Sequence, residues 1–311
     1  MELLRLPWMI HPPEAYIGGA VTVGNFDGVH RGHRELILAA ERQAEHLGGP
    51  TVAVTFDPPP THLLYPNTVK PPLTTLVQRA ELLGEAGADF VVVLQADAGL
   101  ASLSPIAFFE DVLRGLFQAK AVVEGYNFRF GRNRAGDGEQ LRSLCDAAGV
   151  TFEEVSPLMI AGEAVSSSRV RAALLACDVV AATLHLGRRY SLQGTVVTGA
   201  QRGRTLGFPT ANLADVPTVL PGNGVYAVTA MVDDRTYAAA ANIGPNPTFG
   251  DDSRKIEVHL IDFSGDLYGR NLKIEFVQRL RDTKPFSGIA TLKAQLQLDI
   301  AAAKAACEGA A

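Results

Sequence analysis

The chain has 311 residues, of which 47% are hydrophobic and 20% charged; these values predict a substantial core, exclude disorder and suit two domains better than one. Residues 1–185 carry 14 Lys and Arg against 21 Asp and Glu, and residues 186–311 carry 14 against 12. Neither half is basic enough for nucleic-acid binding as its main task, which leaves small anionic ligands held by a few local cations.

Met1–Pro13 lacks the charged start, long apolar run and small-residue cleavage site of a signal peptide. No run approaches the ~18 apolar residues of a membrane span. Cys145, Cys177 and Cys307 lie far apart and show neither a metal-ligand spacing nor a disulfide framework. The expectation is a soluble cytoplasmic protein with small-molecule partners, no nucleic acid and no membrane; monomer and weak homo-oligomer both remain open.

In the first half, Ala20–Val23, Thr51–Phe56, Phe90–Leu94 and Ala121–Glu124 read as buried strands. Between and after them, His33–His46, Leu76–Ala86, Pro105–Phe117 and Gly138–Ala148 read as helices. Such alternation predicts a parallel sheet covered by helices, with ligands beyond the C-terminal strand ends. The first strand runs into Gly24-Asn25-Phe26-Asp27-Gly28-Val29-His30-Arg31-Gly32-His33. Gly24 and Gly28 permit a tight turn, and Gly32 lets the backbone approach a phosphate where a helix begins. His30 and His33, three apart, share a face of the first turn and can grip one phosphate. Adenylyl transfer needs such a device, because negative charge grows on the α-phosphate and on departing pyrophosphate while the acceptor phosphate is itself the nucleophile.

After the second strand, Phe56 with Pro58 and Pro60 reads either as an apolar wall for a flat ring or as a plain strand-ending turn. After the fourth, Asn127 is placed to read a ring edge, while Phe128 and Phe130 suit the core. Arg129, Arg132 and Arg134 suit phosphates or a solvated face. Ser166 or Ser167 caps a helix, and Arg169 and Arg171 near that cap suit triphosphate oxygens.

Near Leu186 the pattern changes. Gly194–Gly199, Gly224–Val232, Thr236–Ile243, Lys255–Ile261 and Leu272–Val277 are short, β-rich and separated by turn residues, which predicts a compact antiparallel barrel. Gly288–Ala306 places Ile289, Leu292, Leu296 and Ile300 on one helical face, expected to pack on that barrel. The chain has no GxxxxGK[ST] P-loop. Its basic loop Gly199–Asn212 is instead rich in glycine, with Gly203 and Gly207 able to bring N–H groups to phosphates. Thr210 and Asn212, two apart, share one side of an extended stretch. Oxygen donors of that kind, with ATP phosphates and water, suit Mg²⁺. Glu257 and His259 share one face of a strand; Glu257 is either a solvated carboxylate or a base for a primary alcohol attacking the γ-phosphate of ATP. His259 reads as structural or peripheral.

GNFDGVHRGH resembles the HxGH signature of the nucleotidyltransferase superfamily in the version of prokaryotic bifunctional riboflavin kinase/FAD synthetases. TFDPPP, GYNFRFG and VSSSRVR agree in order and spacing; GRTLGFPTANL, LPGNGVYAV, NIGPNPTFG, IEVHLIDF and DLYG are similar to the riboflavin kinase module. The resemblance spans about residues 15–300. It implies a Rossmann-like α/β nucleotidyltransferase domain with a parallel sheet over residues 1–185. Over 186–311 it implies a six-stranded antiparallel β-barrel of riboflavin kinase type with a terminal helix. The implied activities are phosphorylation of riboflavin to FMN in the barrel and adenylylation of FMN to FAD in the first domain, each with ATP and Mg²⁺.

For the adenylyltransferase, the resemblance implies catalytic His30 and His33 and ATP contacts from Gly24, Asn25, Phe26, Asp27, Gly32, Ser166, Ser167, Ser168, Arg169 and Arg171. It implies flavin contacts from Phe56, Pro58, Pro60 and Asn127. For the kinase it implies ATP contacts from Gly203, Arg204, Gly207, Phe208, Pro209, Thr210 and Asn212, Mg²⁺ at Thr210 and Asn212, and Glu257 as base. Pro59 stands where many relatives have His, and Asn127 where Asp is common. Leu280–Phe286 departs from LRDExKF at Thr283 and Pro285 and receives no role. Two other readings compete: a nucleotidyltransferase acting on another phosphorylated acceptor, such as a phosphopantetheine or nicotinamide mononucleotide, and a flavin- or nucleotide-binding regulator without turnover. The kinase-like barrel argues against the first. His30, His33, Thr210, Asn212 and Glu257 argue against the second, since a sensor needs no base.

Overall fold

A computed structural model describes residues 2–60, 62, 70–199, 201–246 and 251–309. They form two compact units, Met1–Ser166 and Ser167–Ala311. In the first, β1 (Glu2–Pro7), β2 (Ala20–Val23), β3 (Thr51–Phe56), β4 (Phe90–Gln95), β5 (Ala121–Gly125) and β6 (Thr151–Val155) form one parallel sheet in the order β1-β4-β3-β2-β5-β6. A small hairpin, β7 (Met159–Ile160) with β8 (Glu163–Ala164), follows.

The strands at the centre are apolar on consecutive residues because helices cover both faces. Val21, Val23, Val52, Val54, Val92 and Leu94 face one cluster with Phe109, Val112, Leu141 and Cys145. Ala20 and Ala121 face α1 (Arg31–Leu47), and Ala53 and Val91 face α1 and α2 (Leu76–Glu85). The unit also contains α3 (Ala98–Ser102) and α4 (Gly138–Ala148).

The expected helix over Pro105–Phe117 is one α-turn, Pro105–Ala107, followed by a π-helix at Phe108–Leu116. The edge strand β1 escaped the sequence pattern: Arg5 interrupts its apolar residues, and only Leu6 is buried. Thr75 caps α2 in a complete capping box with Gln78, its hydroxyl accepting from the Gln78 N–H and the Gln78 side chain from the Thr75 N–H. Thr75→Ala is expected to cost about 1 kcal/mol, seen as about fivefold faster amide exchange along α2.

The second unit opens with α5 (Ser167–Leu175) and α6 (Val179–Leu186). Six strands then close a barrel in the order β10-β13-β12-β11-β14-β9: β9 (Ser191–Val197), β10 (Ala211–Ala214), β11 (Gly224–Val232), β12 (Arg235–Asn246), β13 (Asp251–Leu260) and β14 (Asn271–Arg281). A short helix, α7 (Arg202–Leu206), interrupts the expected basic loop. The terminal helix α8 (Ile289–Glu308) packs on the barrel through the expected face, where Leu292, Leu296 and Ile300 are half-buried, but that face does not extend to its first residue. Ile289 is 60% exposed, and the buried residues of the helix are Asp299, Ala303 and Cys307. Asp299 accepts a two-armed ion pair from Arg281 of β14, at 2.8 and 2.6 Å, and a hydrogen bond from Gln295. A charge pair therefore anchors the middle of a face that apolar periodicity alone assigned to leucines.

Candidate functional sites

The order of the parallel sheet reverses between β2 and β5, and the crevice beyond the C-terminal ends of such a pair is where open α/β sheets bind ligands. Pairing between β2 and β5 runs through Ala20–Ala121 and Val21–Val122. Above that, the Glu124 carboxylate accepts from the Val23 N–H at 2.7 Å. Glu124 is 2% exposed, and burial pushes its carboxyl well above the ordinary range, the single backbone N–H opposing it. The folded chain thus binds this proton more tightly than the unfolded chain, and stability falls as pH rises from the ordinary carboxylate range toward the folded-state pKa. Glu124→Gln is expected to raise the unfolding midpoint at pH 7, with the gain vanishing as the pH drops below that range, as a melt series across pH would record.

The loop after β2 is held open by residues in the left-handed region, Phe26 at φ 46°, Gly28 at 83° and Val29 at 38°. His30 is the N-cap of α1, its Nδ1 accepting from the His33 N–H at 3.3 Å. In the neutral ring that acceptor role leaves the proton on Nε2, as a donor. The His30 and His33 rings stack at 3.6 Å and 17°. A Cβ on Gly32 would lie 3.3 Å from the His30 ring, so the bare glycine lets the pair sit flush with the helix tip. Geometry here supplies paired imidazoles and helix-terminal N–H groups, a combination that favours phosphate.

The other residues expected at this site fall into two groups. Phe26 is 1% exposed, in the core, with its ring edge-on to His33 at 5.2 Å. The Asp27 carboxylate accepts from the backbone N–H groups of Leu73 and Thr74, at 2.8 and 3.3 Å. Phe56 packs into the core with Val54 and Leu94. On the surface side, Asn25, Pro58 and Asn127 are exposed, Gly24 and Pro60 half-buried. Phe128 and Phe130 stack at 5.5 Å, and Arg129 pairs with Asp137 at 3.0 Å. Ser166 ends the first unit; Ser167, Ser168, Arg169 and Arg171 lie on α5 of the second.

In the barrel, β13 sets Glu257 directly between Asn212 of β10 and Asn242 of β12. Register partners project to one face, so a carboxylate stands flanked by two amides. Asn212 can occupy its place because Gly199 has no side chain: a Cβ there would lie 2.4 Å from the Asn212 amide. Glu257, Thr210, Asn242, Lys255 and His259 line a cavity of ≈ 160 Å³. Its lining also includes the apolar Val225, Phe286, Leu292, Leu296 and Ile300 and the Arg281–Asp299 pair.

Gly203 lies on α7 and lines the same cavity; Gly207 is the left-handed C-cap of α7, at φ 90°. Arg204 and Pro209 are exposed, and Phe208 is half-buried against the His259 ring. His259 Nδ1 lies 2.7 Å from the Pro209 carbonyl and so ties the strand to the loop that carries Thr210. Asn242 and Lys255 were not singled out from sequence. Lys255 carried a usable signal, since it alternates with Glu257 and His259 on one strand face; Asn242 sits in the NIGPNPTFG segment, of which Pro247–Gly250 lie outside the described residues.

Comparison with known proteins matches both halves. A family model described as FAD synthetase matches residues 13–169, and one described as riboflavin kinase matches 186–307. A bifunctional riboflavin kinase/FMN adenylyltransferase of Pseudomonas fluorescens is 37% identical over 306 residues, covering 98% of this chain and 97% of that protein. Proteins of the same description from Bacillus subtilis and Escherichia coli K12 are 36% and 34% identical, each over about nine-tenths of both chains. A crystal structure described as a macrolide-efflux protein from Streptococcus pneumoniae superposes with a TM-score of 0.87 at 29% identity, over 97% of this chain and 98% of that one.

Proposed function

Because the chain belongs to the bifunctional riboflavin kinase/FMN adenylyltransferase family, we propose that it makes FAD from riboflavin in two ATP-dependent steps. Residues 186–311 phosphorylate riboflavin to FMN with release of ADP; residues 1–185 adenylylate FMN and release pyrophosphate. The observation that carries this reading is a single chain holding stacked His30 and His33 at a sheet's switch point and Glu257 between two amides in a barrel cavity.

In the kinase step Glu257 accepts the proton of the ribityl primary alcohol as that oxygen attacks the γ-phosphate. The apolar wall of Val225, Phe286, Leu292 and Leu296 takes the flavin ring, while Gly203, Thr210 and Asn212 take the nucleotide phosphates. Among the described residues no three His, Cys, Asp or Glu side chains are placed to hold an ion. The Thr210 hydroxyl and Asn212 amide oxygens suit Mg²⁺ coordinated mainly by nucleotide and water, where it offsets phosphate charge. In the adenylyl step the FMN phosphate attacks the α-phosphorus of ATP. His30, through Nε2–H, and His33 stabilise the charge that builds on the α-phosphate and pyrophosphate oxygens. Pro58, Pro60 and Asn127 border the flavin.

No helix among the described residues is long and apolar enough to cross a membrane, and both partners of each reaction are small molecules. The test is incubation with riboflavin, Mg²⁺ and ATP, followed by chromatography of the flavins. FMN and then FAD should accumulate; tight flavin retention with neither product would overturn the reading in favour of a regulator.

A further inference from the structure

Arg79 on α2 is buried to 5% exposure, yet none of its contacts is a close ion pair. Its Nη1 donates to the Thr55 hydroxyl at 3.4 Å, and Nη2 lies 3.7 Å from Asp27 Oδ1. Nε is buried without a partner among the described residues. Burial draws the guanidinium pKa down, opposed by the charges of Asp27 and Asp57. An apolar side chain of similar volume in such a position is commonly neutral or stabilising, so stability does not account for a guanidinium here.

Its contacts do. Thr55 at the end of β3 donates its hydroxyl proton to the Asn25 carbonyl at 3.3 Å. Asp27 holds the Leu73 and Thr74 N–H groups, and the Gly28 N–H donates to the Thr74 hydroxyl at 3.1 Å. The Arg79 fork therefore joins Thr55, and through it the Asn25 carbonyl, to Asp27, which with Gly28 is tied to the segment before α2. These are the residues that carry the chain through its left-handed turn into His30.

We infer that Arg79 is a positioning residue of the adenylyl-transfer site, holding the Gly24–His30 loop in the conformation that aligns the two histidines. The inference rests on the function proposed above. Arg79 touches no reacting atom; it acts through Thr55 and Asp27. A misplacement of the order of 1 Å at such a loop costs about a hundredfold in rate.

The test uses the full chain with Arg79→Met and Arg79→Lys. For Arg79→Met, kcat of FAD formation from FMN should fall about a hundredfold, with Michaelis constants for FMN and ATP moving far less. FMN formation and the thermal unfolding profile should be preserved. Amide exchange at Gly28 and Leu73 should accelerate, a readout that does not require turnover. Arg79→Lys keeps the charge without the fork and should fall between Met and the wild type. A near wild-type kcat in Arg79→Met overturns the inference, and so does a loss of FAD formation that tracks lost thermal stability in both variants. If Arg79→Met does not fold, Arg79→Lys decides: a reduced kcat at unchanged stability and faster Gly28 exchange supports the role, and anything else overturns it. Absence of FAD formation in the wild type would instead sink the functional reading.

Discussion

His30→Ala is expected to lower FAD formation from FMN about 10²–10³-fold, the usual cost of one preorganised charge partner in the transition state, while FMN formation from riboflavin continues at the wild-type rate. The substitution removes two things, because His30 is also the N-cap of α1. His30→Asn separates them: asparagine caps a helix well but cannot replace the Nε2–H donor. Equal defects in the two variants would assign the loss to phosphate stabilisation. Near-full activity in His30→Asn would assign it to the cap and remove His30 from the chemistry. Both are read by following flavins chromatographically, with FMN supplied.

Glu257→Ala should do the reverse. Loss of a general base costs about 10²–10⁴ in rate, and FMN formation should fall by that factor while FAD formation from supplied FMN persists. Asn212 and Asn242 flank Glu257 on both sides, so the nucleotide and metal contacts survive the truncation and the defect should appear in kcat more than in the Michaelis constant for ATP. If both activities dropped together in either variant, the assignment of separate sites to residues 1–185 and 186–311 would be wrong.

Of these two sites, the adenylyl site was the more legible. Its histidine motif is contiguous, from Gly24 to His33, and local physics places it: a buried parallel strand, a glycine turn and a helix tip follow one another in the chain. The candidate kinase cavity is assembled from α7, β11, β12, β13, β14 and α8, with Asn212 of β10 in register beside Glu257, and it follows from strand order. Nothing local tells that Asn242 stands beside Glu257; that is a matter of register between β12 and β13. The terminal helix shows the same limit. Its apolar spacing gave the inward face through Leu292, Leu296 and Ile300, but neither the Arg281–Asp299 pair on that face nor the exposure of Ile289.

Alternation of apolar strands with amphipathic helices was enough to specify a parallel sheet, and a run of short β-rich segments enough to specify a barrel, because each reflects a period that neighbours in the chain impose on one another. The motif residues were likewise readable, since phosphate chemistry demands glycine, histidine and hydroxyl groups at close spacing. Other features came only from packing: that Phe56 is buried and Asp27 turns its carboxylate onto the Leu73 and Thr74 N–H groups, that Glu124 closes the gap between β2 and β5, and that a buried Arg79 ties a loop to a strand. Burial and hydrogen-bond satisfaction depend on which distant segments arrive at the same point, and chain neighbours carry no record of that.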